Sequence, residues 1–256
     1  AGVASEVGVS FFDRNGDALP GWPYLWPVSV NNPQWSAPAV GDIDGDGSLE
    51  VAVGNVNYPN WGVHVIRADG TAHPGWPQVI LPVYASPALA DLNEDGGLEI
   101  IVQEGDPGSQ GYRLWVWDHT GTPLPGWPKT ISANGQSSRS SPAVADVDGD
   151  GTLEIVSVTS DGKVHILRAN GSYYPGYPLQ TAAVQPISSP AVLDIDNDGP
   201  EEIFFTYWSA NAQYVSGWRL DGSVLAGFPK LLLSGTDMNA HASVHIANAD
   251  GDSGLE

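Results

Sequence analysis

The stretch DIDGDGSLE, residues 42–50, carries acidic side chains at positions one, three, five and nine of a nine-residue segment. Close variants recur as DLNEDGGLE from residue 91, DVDGDGTLE from 146, DIDNDGPEE from 194 and NADGDSGLE from 248. A second motif recurs at a similar spacing, as PGWP from residues 20, 74 and 125, PGYP from 175 and AGFP from 226. Two motifs that both recur about every 50 residues predict an array of equivalent units, as in propellers and solenoids.

The third copy shows what one unit contains. SSPAVADVD (140–148) and LEIVSVTS (153–160) flank the acidic segment and are typical of buried strands. An Asp-Gly turn leads to a third strand in KVHILRA (163–169), and an Asn-Gly turn leads to a Pro-containing outer strand in YYPGYPLQ (173–180). Four antiparallel strands per repeat, with no helical segment, predict one propeller blade.

The repeats place the whole chain, residues 1–256, in a single all-β propeller domain of five blades. The N-terminal segment is expected to supply strands two to four of one blade, and HASVHIANADGDSGLE (241–256) is expected to supply strand one. Pairing of the C-terminal strand with the N-terminal strands would close the ring and leave no free edge. An excerpt of a longer array of six to eight blades is the alternative.

Charge and composition exclude several classes of function. The formal net charge is −21 with only 9 Lys and Arg residues, which disfavours binding to nucleic acid or to an anionic membrane surface. There is no Cys, so the chain has neither disulfides nor thiolate metal sites. No apolar stretch approaches the roughly 18 residues of a membrane-spanning helix. Counter-cations are the natural partner for this acidic excess.

The acidic segments predict calcium sites. Oxygens at positions one, three, five and nine, with a backbone carbonyl at position seven, can surround a hard cation if the chain turns sharply at the Gly of position six. A cage of six or seven oxygens suits Ca²⁺ better than Zn²⁺ or Mg²⁺. We expect about one Ca²⁺ per blade, with a weaker fifth site in which Ser253 replaces the Gly. The predicted ligands are Asp42, Asp44, Asp46, Ser48 and Glu50; Asp91, Asn93, Asp95, Gly97 and Glu99; Asp146, Asp148, Asp150, Thr152 and Glu154; Asp194, Asp196, Asp198, Pro200 and Glu202; and Asn248, Asp250, Asp252 and Glu256.

These repeats resemble the FG-GAP/VCBS family, whose calcium-binding propeller blades also occur in integrin α subunits. The pattern SPAVxDxDGDGxLE carries the resemblance over essentially the whole chain, although SAPAV, SPALA and SPAVA stand where the family has Phe-Gly and Gly-Ala-Pro. Integrin-type propellers usually have seven blades, more than the repeats counted here. The resemblance implies an extracellular role in adhesion or carbohydrate recognition.

A ligand is expected on the face opposite the acidic loops, because the copies differ there. Seven residues before each acidic segment the chain has Trp35, Tyr84, Arg139, Ile187 and His241, and the longer connections between strands two and three add Tyr58, Trp61, Tyr112, Trp208 and Tyr214. Exposed aromatic rings beside amides and carboxylates suit stacking on sugars. Packing between blades is the alternative explanation for these rings, and it is the role expected for the repeated aromatic residue of the second motif, at Trp22, Trp76, Trp127, Tyr177 and Phe228.

The sequence therefore predicts a calcium-stabilised, secreted or cell-surface binding module that recognises a glycan or a protein. No catalytic residues are assigned, since no pair of acids is marked for glycoside hydrolysis and no Ser-His-Asp or HExxH signature is present. One alternative is a carbohydrate-active enzyme such as a polysaccharide lyase, with Tyr84, Arg139 and His241 at its centre. The other is a purely structural surface or assembly domain.

Overall fold

The computed structural model describes residues 5–28, 36–57, 60–105, 112–132, 140–181, 188–234 and 244. All the regular elements in this part of the chain are strands. In chain order they are β1 Ser5–Val9, β2 Tyr24–Val28, β3 Ala39–Gly41, β4 Glu50–Asn55, β5 Gly62–Arg67, β6 Ala88–Ala90, β7 Glu99–Gln103, β8 Tyr112–Trp117, β9 Lys129–Ser132, β10 Ala143–Ala145, β11 Glu154–Val158, β12 Lys163–Arg168, β13 Leu179–Gln180, β14 Ala191–Leu193, β15 Glu202–Ser209, β16 Ala212–Trp218 and β17 Lys230–Ser234.

The strands form separate antiparallel sheets in which neighbours along the chain pair with each other. The chain divides into two compact units, Ala1–Gly135 and Gln136–Glu256. The first unit contains the sheets β1-β2, β3-β4-β5 and β6-β7-β8-β9, and the second contains β10-β11-β12-β13 and β14-β15-β16-β17. In the three-stranded sheet, a bridge between Val63 and Gln78 stands where the fourth strand runs in the others. The predicted four-stranded antiparallel sheet therefore occurs three times in the described residues.

The second strand of each complete sheet is buried along most or all of its length. Every residue of β4, β7 and β11 is buried, which explains why these segments are runs of Val, Ile and Ala rather than alternating patterns. The first strand is shorter than the sequence indicated: β10 has 3 residues within the predicted 140–148. It ends where Ala145 pairs with Glu154, because the acidic loop begins at the next residue.

The outer strand begins later than predicted. YYPGYPLQ was expected to be a strand, but in the third copy Pro175 and Gly176 form a turn, closed by a hydrogen bond from Tyr177 N to Tyr174 O of 3.1 Å. Gly176 has φ of 88°, and the Tyr177–Pro178 peptide bond is cis, as is the matching bond in the other four copies. Pro178 has no N–H to donate to a ladder, so β13 starts only at Leu179.

The N-terminal segment also departs from the prediction. Residues 5–28 form two strands instead of three, with β1 paired to β2 and an isolated bridge between Phe12 and Ala18 in the connection. This arrangement matches the third and fourth strands of the other sheets. The predicted closing strand falls within 235–243 and 245–256, outside the described residues, so closure and the number of blades stay predictions. In the described residues no helix has the length and apolarity needed to cross a membrane.

The aromatic residue of the second motif joins neighbouring sheets within a unit. Trp22 Nε1 donates to Ala68 O at 2.8 Å, and Trp76 Nε1 donates to His119 O at 2.9 Å. Each ring thus reaches the hairpin turn of the next sheet. The motif glycine permits this approach, since a Cβ on Gly75 would lie 1.9 Å from Thr120 O. The predicted packing role of the motif aromatic is confirmed for Trp22, Trp76, Trp127 and Tyr177, all of which are buried.

Candidate metal centres

The four described acidic segments all connect the first and second strands of a sheet. We call them loop one (42–50), loop two (91–99), loop three (146–154) and loop four (194–202), and number their positions one to nine. In each loop, position nine is the first residue of the second strand. The fifth segment, with Asn248, Asp250, Asp252 and Glu256, lies outside the described residues.

Position nine is a buried glutamate in every loop. Glu50, Glu99, Glu154 and Glu202 are at most 2% exposed. Each accepts a hydrogen bond from the backbone N–H of position two through its Oε2, which holds the carboxylate across the base of the loop. The donor–acceptor distances are 2.9 Å from Ile43 to Glu50, 2.7 Å from Leu92 to Glu99, 3.3 Å from Val147 to Glu154 and 3.1 Å from Ile195 to Glu202.

Position one is an aspartate that closes the turn. Its Oδ2 accepts the backbone N–H of the position-six glycine, at 3.0 Å for Asp42 with Gly47 and 2.8 Å for Asp146 with Gly151. Gly47 has φ of 89°, a left-handed conformation that other residues adopt at a cost. The predicted sharp turn at position six is therefore present, and it directs the first aspartate into the loop.

Three of the loops bring carboxylate oxygens together. One oxygen from each of positions one, three and nine lies within 4.8 Å of the other two in loops one, three and four. In loop one, Asp42 Oδ1 is buried and has no hydrogen-bond partner among the protein atoms. An unpartnered buried carboxylate oxygen is costly unless a cation or another donor compensates for it. The donor set of oxygens alone fits a hard divalent cation.

Position five makes a further hydrogen bond within the loop, and its predicted role as a ligand stays a prediction. Oδ1 of Asp46 accepts the backbone N–H of Ser48 at 2.7 Å. Asp150 accepts both the N–H of Thr152 at 2.8 Å and its hydroxyl at 2.6 Å. The amide two residues ahead thus competes for this side chain, as is common for Asp in turns. The predicted position-seven carbonyl ligand stays a prediction.

Burial and mutual repulsion make the position-nine glutamates reluctant to ionise. Desolvation raises the pKa of Glu50, Glu154 and Glu202, and neighbouring loop aspartates raise it further. The pKa of Glu99 rises to about 7, through burial first and then through the charges of Asp95, Asp91 and Asp118. A bound cation would offset this penalty because it places positive charge beside each of these carboxylates.

The side chain at position three has a different partner in each loop. Asp44 Oδ2 lies 3.1 Å from Nε2 of His73. Asn93 donates through Nδ2 to Glu99 and Asp95, both at 3.0 Å. Burial and the nearby carboxylate of Asp148 raise the pKa of Tyr174, and Arg219 forms an ion pair with Asp196. Sequence reasoning missed these partners.

Three of these partners occupy fixed positions in the repeat, and this regularity could have identified them from the sequence. His73 and Tyr174 each directly precede the Pro-Gly motif, and Arg219 lies three residues before the Gly of the hairpin turn that follows the third strand. These offsets from the motif and from the turn glycine are the same in every copy. The number of residues between the acidic loop and these partners varies, because the hairpins between strands two and three differ in length.

Neighbouring loops within a unit are joined by a backbone hydrogen bond. Leu98 N in loop two donates to Ile43 O in loop one at 2.9 Å, and Glu201 N in loop four donates to Val147 O in loop three at 2.9 Å. Because the N–H of Ile43 and of Val147 also donates to the position-nine glutamate, the bases of loops one and three are each bonded both to their own carboxylate and to the next loop.

The residues predicted for the ligand face differ in exposure. Tyr112 is fully buried and Trp208 is 5% exposed, so the expectation that these two rings are exposed was wrong. Tyr112 is the first residue of β8, and Trp208 lies in β15 opposite Gln213, within a hairpin that turns at Ala210 and Asn211. Trp61, Tyr84 and Tyr214 are half-buried. The remaining predicted residues, Trp35, Tyr58, Arg139 and His241, lie outside the described residues.

Solved structures support the fold. BamB from Moraxella catarrhalis is 15% identical over an alignment that covers 86% of this chain and 55% of that chain, with a TM-score of 0.51, and it supports a propeller-like fold. The V. cholerae biofilm matrix protein Bap1 is 23% identical, with 78% and 40% covered and a TM-score of 0.43. Rhamnogalacturonan lyase YesW is 16% identical, with 98% and 53% covered and a TM-score of 0.41. We draw no conclusion from these two lower scores. The chain spans 40–55% of the length of these three structures.

No curated protein sequence is significantly similar to the chain. The FG-GAP-like repeat model, in contrast, matches residues 42–102, 91–157 and 146–205. Each match begins at position one of an acidic loop and ends within the second strand of the next sheet. The three matches overlap and together cover well over half of the chain. The chain therefore belongs to the family of FG-GAP-like repeat proteins.

Proposed function

We propose that the chain is a calcium-stabilised β-propeller module in which the acidic loops each hold one Ca²⁺. The observation that carries this proposal is the convergence of positions one, three and nine within 4.8 Å in loops one, three and four, around a buried glutamate. Loop two has the same backbone turn, with Gly96 N donating to Asp91 Oδ2 at 3.0 Å. The fifth site and a closed ring of five blades belong to the same proposal and rest on the sequence repeat.

Calcium fits these loops better than smaller or softer cations. Every side chain at positions one, three and nine offers oxygen, which excludes a preference for Zn²⁺. Mg²⁺ demands near-ideal octahedral geometry and keeps its water, whereas Ca²⁺ accepts several carboxylates in irregular arrangements. The formal net charge of −21 also favours divalent cations. Extracellular calcium would saturate even weak sites, which supports a secreted or cell-surface location.

Calorimetric titration of the chelator-treated chain tests the proposal. We expect Ca²⁺ to bind at three or more sites and Mg²⁺ to compete poorly. Asp42→Asn should remove or weaken one site, because Asp42 lies at position one of loop one. Asp69→Asn makes the same change of charge in the hairpin turn, where Asp69 accepts the N–H of Thr71 at 2.9 Å, and should leave binding intact. Absence of calcium binding would overturn the proposal.

We further propose that the module recognises a glycan or a protein through the face opposite the acidic loops, which comprises the segments that enter strand one and the loops between strands two and three. Trp61 and Tyr84 support this role, since both rings are partly exposed and lie in segments that differ between copies. Half-buried aromatic rings can present one face for stacking on a sugar. Nucleic acid is disfavoured as a partner by the acidic charge.

A glycan array, run with and without calcium, separates the candidate roles. Binding that falls in Trp61→Ala but persists in Leu49→Ala, an exposed apolar residue on loop one, would support recognition. New reducing ends or unsaturated uronides after incubation with polysaccharides would favour the enzyme alternative instead. Absence of binding to every glycan and to candidate surface proteins would favour the purely structural role.

A further inference from the structure

We infer that Arg219 serves loop four as a built-in counter-cation, so that this loop is held together without Ca²⁺ and binds it more weakly than loops one and three. The inference rests on the proposed calcium binding. Arg219 directly follows β16 and forms an ion pair with Asp196 at position three. Its Nε also lies 3.9 Å from Asp198 Oδ2 and 3.8 Å from Glu202 Oε1. One guanidinium therefore faces the carboxylates of positions three, five and nine.

The equivalent arginine of loop three has another partner. Arg168 pairs in register with Glu154, yet its guanidinium lies over the ring of Tyr174, 5.6 Å from the centroid. Tyr174 lines the same cavity as Asp148 of position three. Its ring thus offers the arginine of loop three a contact other than the loop carboxylates. Loop four has Leu225 at the corresponding place, which offers neither a ring face nor a hydrogen bond.

Position seven supplies a second difference. Asp46, Asp95 and Asp150 each accept the backbone N–H of position seven, at 2.7, 2.9 and 2.8 Å. Loop four has Pro200 there, and proline has no N–H to donate. Asp198 therefore lacks the amide that holds its counterparts in the other loops. Pro200 and Leu225 thus remove two contacts that the other loops have, and Arg219 contacts Asp196 and Asp198 instead.

This arrangement sets up a competition between Arg219 and a divalent cation. The guanidinium carries one fixed charge and donates in a planar fork that suits carboxylates. A cation entering loop four would have to displace it or accept its repulsion. Because the arginine side chain is about one-third exposed, its ion pairs are screened and the competition should be moderate. Among the ion pairs of the described residues, none joins an arginine to loop one or loop three; in loop one it is His73 that contacts the aspartate of position three.

The test compares Arg219→Met with Arg168→Met in the full chain, by calcium titration calorimetry after chelation. Both substitutions remove one guanidinium at the same place in a repeat. We expect Arg219→Met to tighten the loop-four site, identified as the site that Asp194→Asn removes or weakens, by up to about fivefold, the upper end for exposed ion pairs. Arg168→Met should leave all sites within about twofold of the parent chain. The melting temperature in chelator should fall in Arg219→Met and recover when Ca²⁺ is added.

The outcomes separate this inference from the function on which it rests. Calcium binding by the parent chain with no tightening in Arg219→Met, or with equal tightening in Arg168→Met, would overturn the inference alone. No calcium binding in any variant would overturn both. If Arg219→Met does not fold in chelator, Leu225→Tyr provides the second test, since it offers Arg219 a ring face and Asp196 a hydroxyl. That variant should also tighten the loop-four site, and unchanged binding would contradict the inference.

Discussion

Oε2 of Glu99 accepts the backbone N–H of Leu92 at 2.7 Å, across the base of loop two. The carboxylate that makes this bond is 1% exposed and has a pKa of about 7. The same side chain thus has two roles. It closes the loop as a hydrogen-bond acceptor, and when ionised it carries a negative charge that no neighbouring cationic side chain neutralises among its described contacts. These two roles can be separated by mutation.

Glu99→Gln keeps an acceptor for Leu92 and removes the charge. The raised pKa means that the folded chain binds the Glu99 proton more tightly than the unfolded chain, so metal-free stability falls as the pH rises from about 4.5 through about 7. At pH 8 in chelator, Glu99→Gln should therefore be as stable as the parent chain or more so, by up to about 2 kcal/mol. With Ca²⁺ present it should gain less stability than the parent.

Denaturant unfolding at pH 8, with chelator and with Ca²⁺, measures both effects. Glu94→Gln is the matched control, because Glu94 is an exposed residue of the same loop and the charge change is identical. Equal calcium stabilisation of Glu99→Gln and Glu94→Gln would argue against Glu99 as a ligand.

Trp76 joins the sheet β3-β4-β5 to the next sheet of its unit. Its Nε1 donates to His119 O at 2.9 Å, and its ring belongs to a buried cluster with Trp117 and Val65. Trp76→Phe should cost about 1 kcal/mol, from the lost hydrogen bond and a small loss of packing. Trp76→Ala should cost about 3–5 kcal/mol, because it leaves a cavity. Phe228 occupies the same place in another copy, which indicates that a phenyl ring fits.

Chemical denaturation of both Trp76 variants in saturating Ca²⁺ gives the two values. Similar losses for Phe and Ala would show that the indole N–H, rather than the packing of the ring, joins the sheets.

His165 makes the chain sensitive to acid. It is 1% exposed, contacts Thr159 and Tyr173, and burial lowers its pKa to about 4. Between pH 6.5 and about 4 the unfolded chain takes up a proton that the folded chain excludes, so stability falls as the pH falls through this window. The loss attributable to His165 is on the order of 2–3 kcal/mol.

His165→Gln should flatten this part of the stability profile, since Gln does not titrate and can still hydrogen-bond Thr159. Denaturant unfolding between pH 7 and pH 4 provides the measurement. A variant whose stability falls with pH as steeply as the parent would contradict the assignment. His64, whose pKa burial also lowers, should retain part of the dependence.

The repeated features of the chain could be predicted from the sequence. The acidic loops, the flanking strands and the buried aromatic residue of the second motif recur at matching positions, so each copy supports the prediction for the others. The four-stranded sheet follows from alternating strand and turn signals. These features depend on contacts close in sequence or repeated at every blade.

Other features depend on contacts that the sequence pattern does not encode. The hairpin of β15 and β16 was predicted to be an exposed connection, but positive φ angles at Ala210 and Asn211 close it in a two-residue turn. The strands are therefore longer, and Trp208 is buried within one of them. Arg219 reaches loop four across a hairpin, which the spacing within the loop could not reveal.

The central claim is that divalent cations in the acidic loops stabilise the fold. The most direct measurement is the melting temperature of the full chain in chelator, in excess Ca²⁺ and in excess Mg²⁺ at matched ionic strength. We predict a large fall in chelator, full recovery with Ca²⁺ and little with Mg²⁺, since a ligand at 100 times its Kd adds about 2.7 kcal/mol per site. Melting curves that superimpose under all three conditions would contradict the claim.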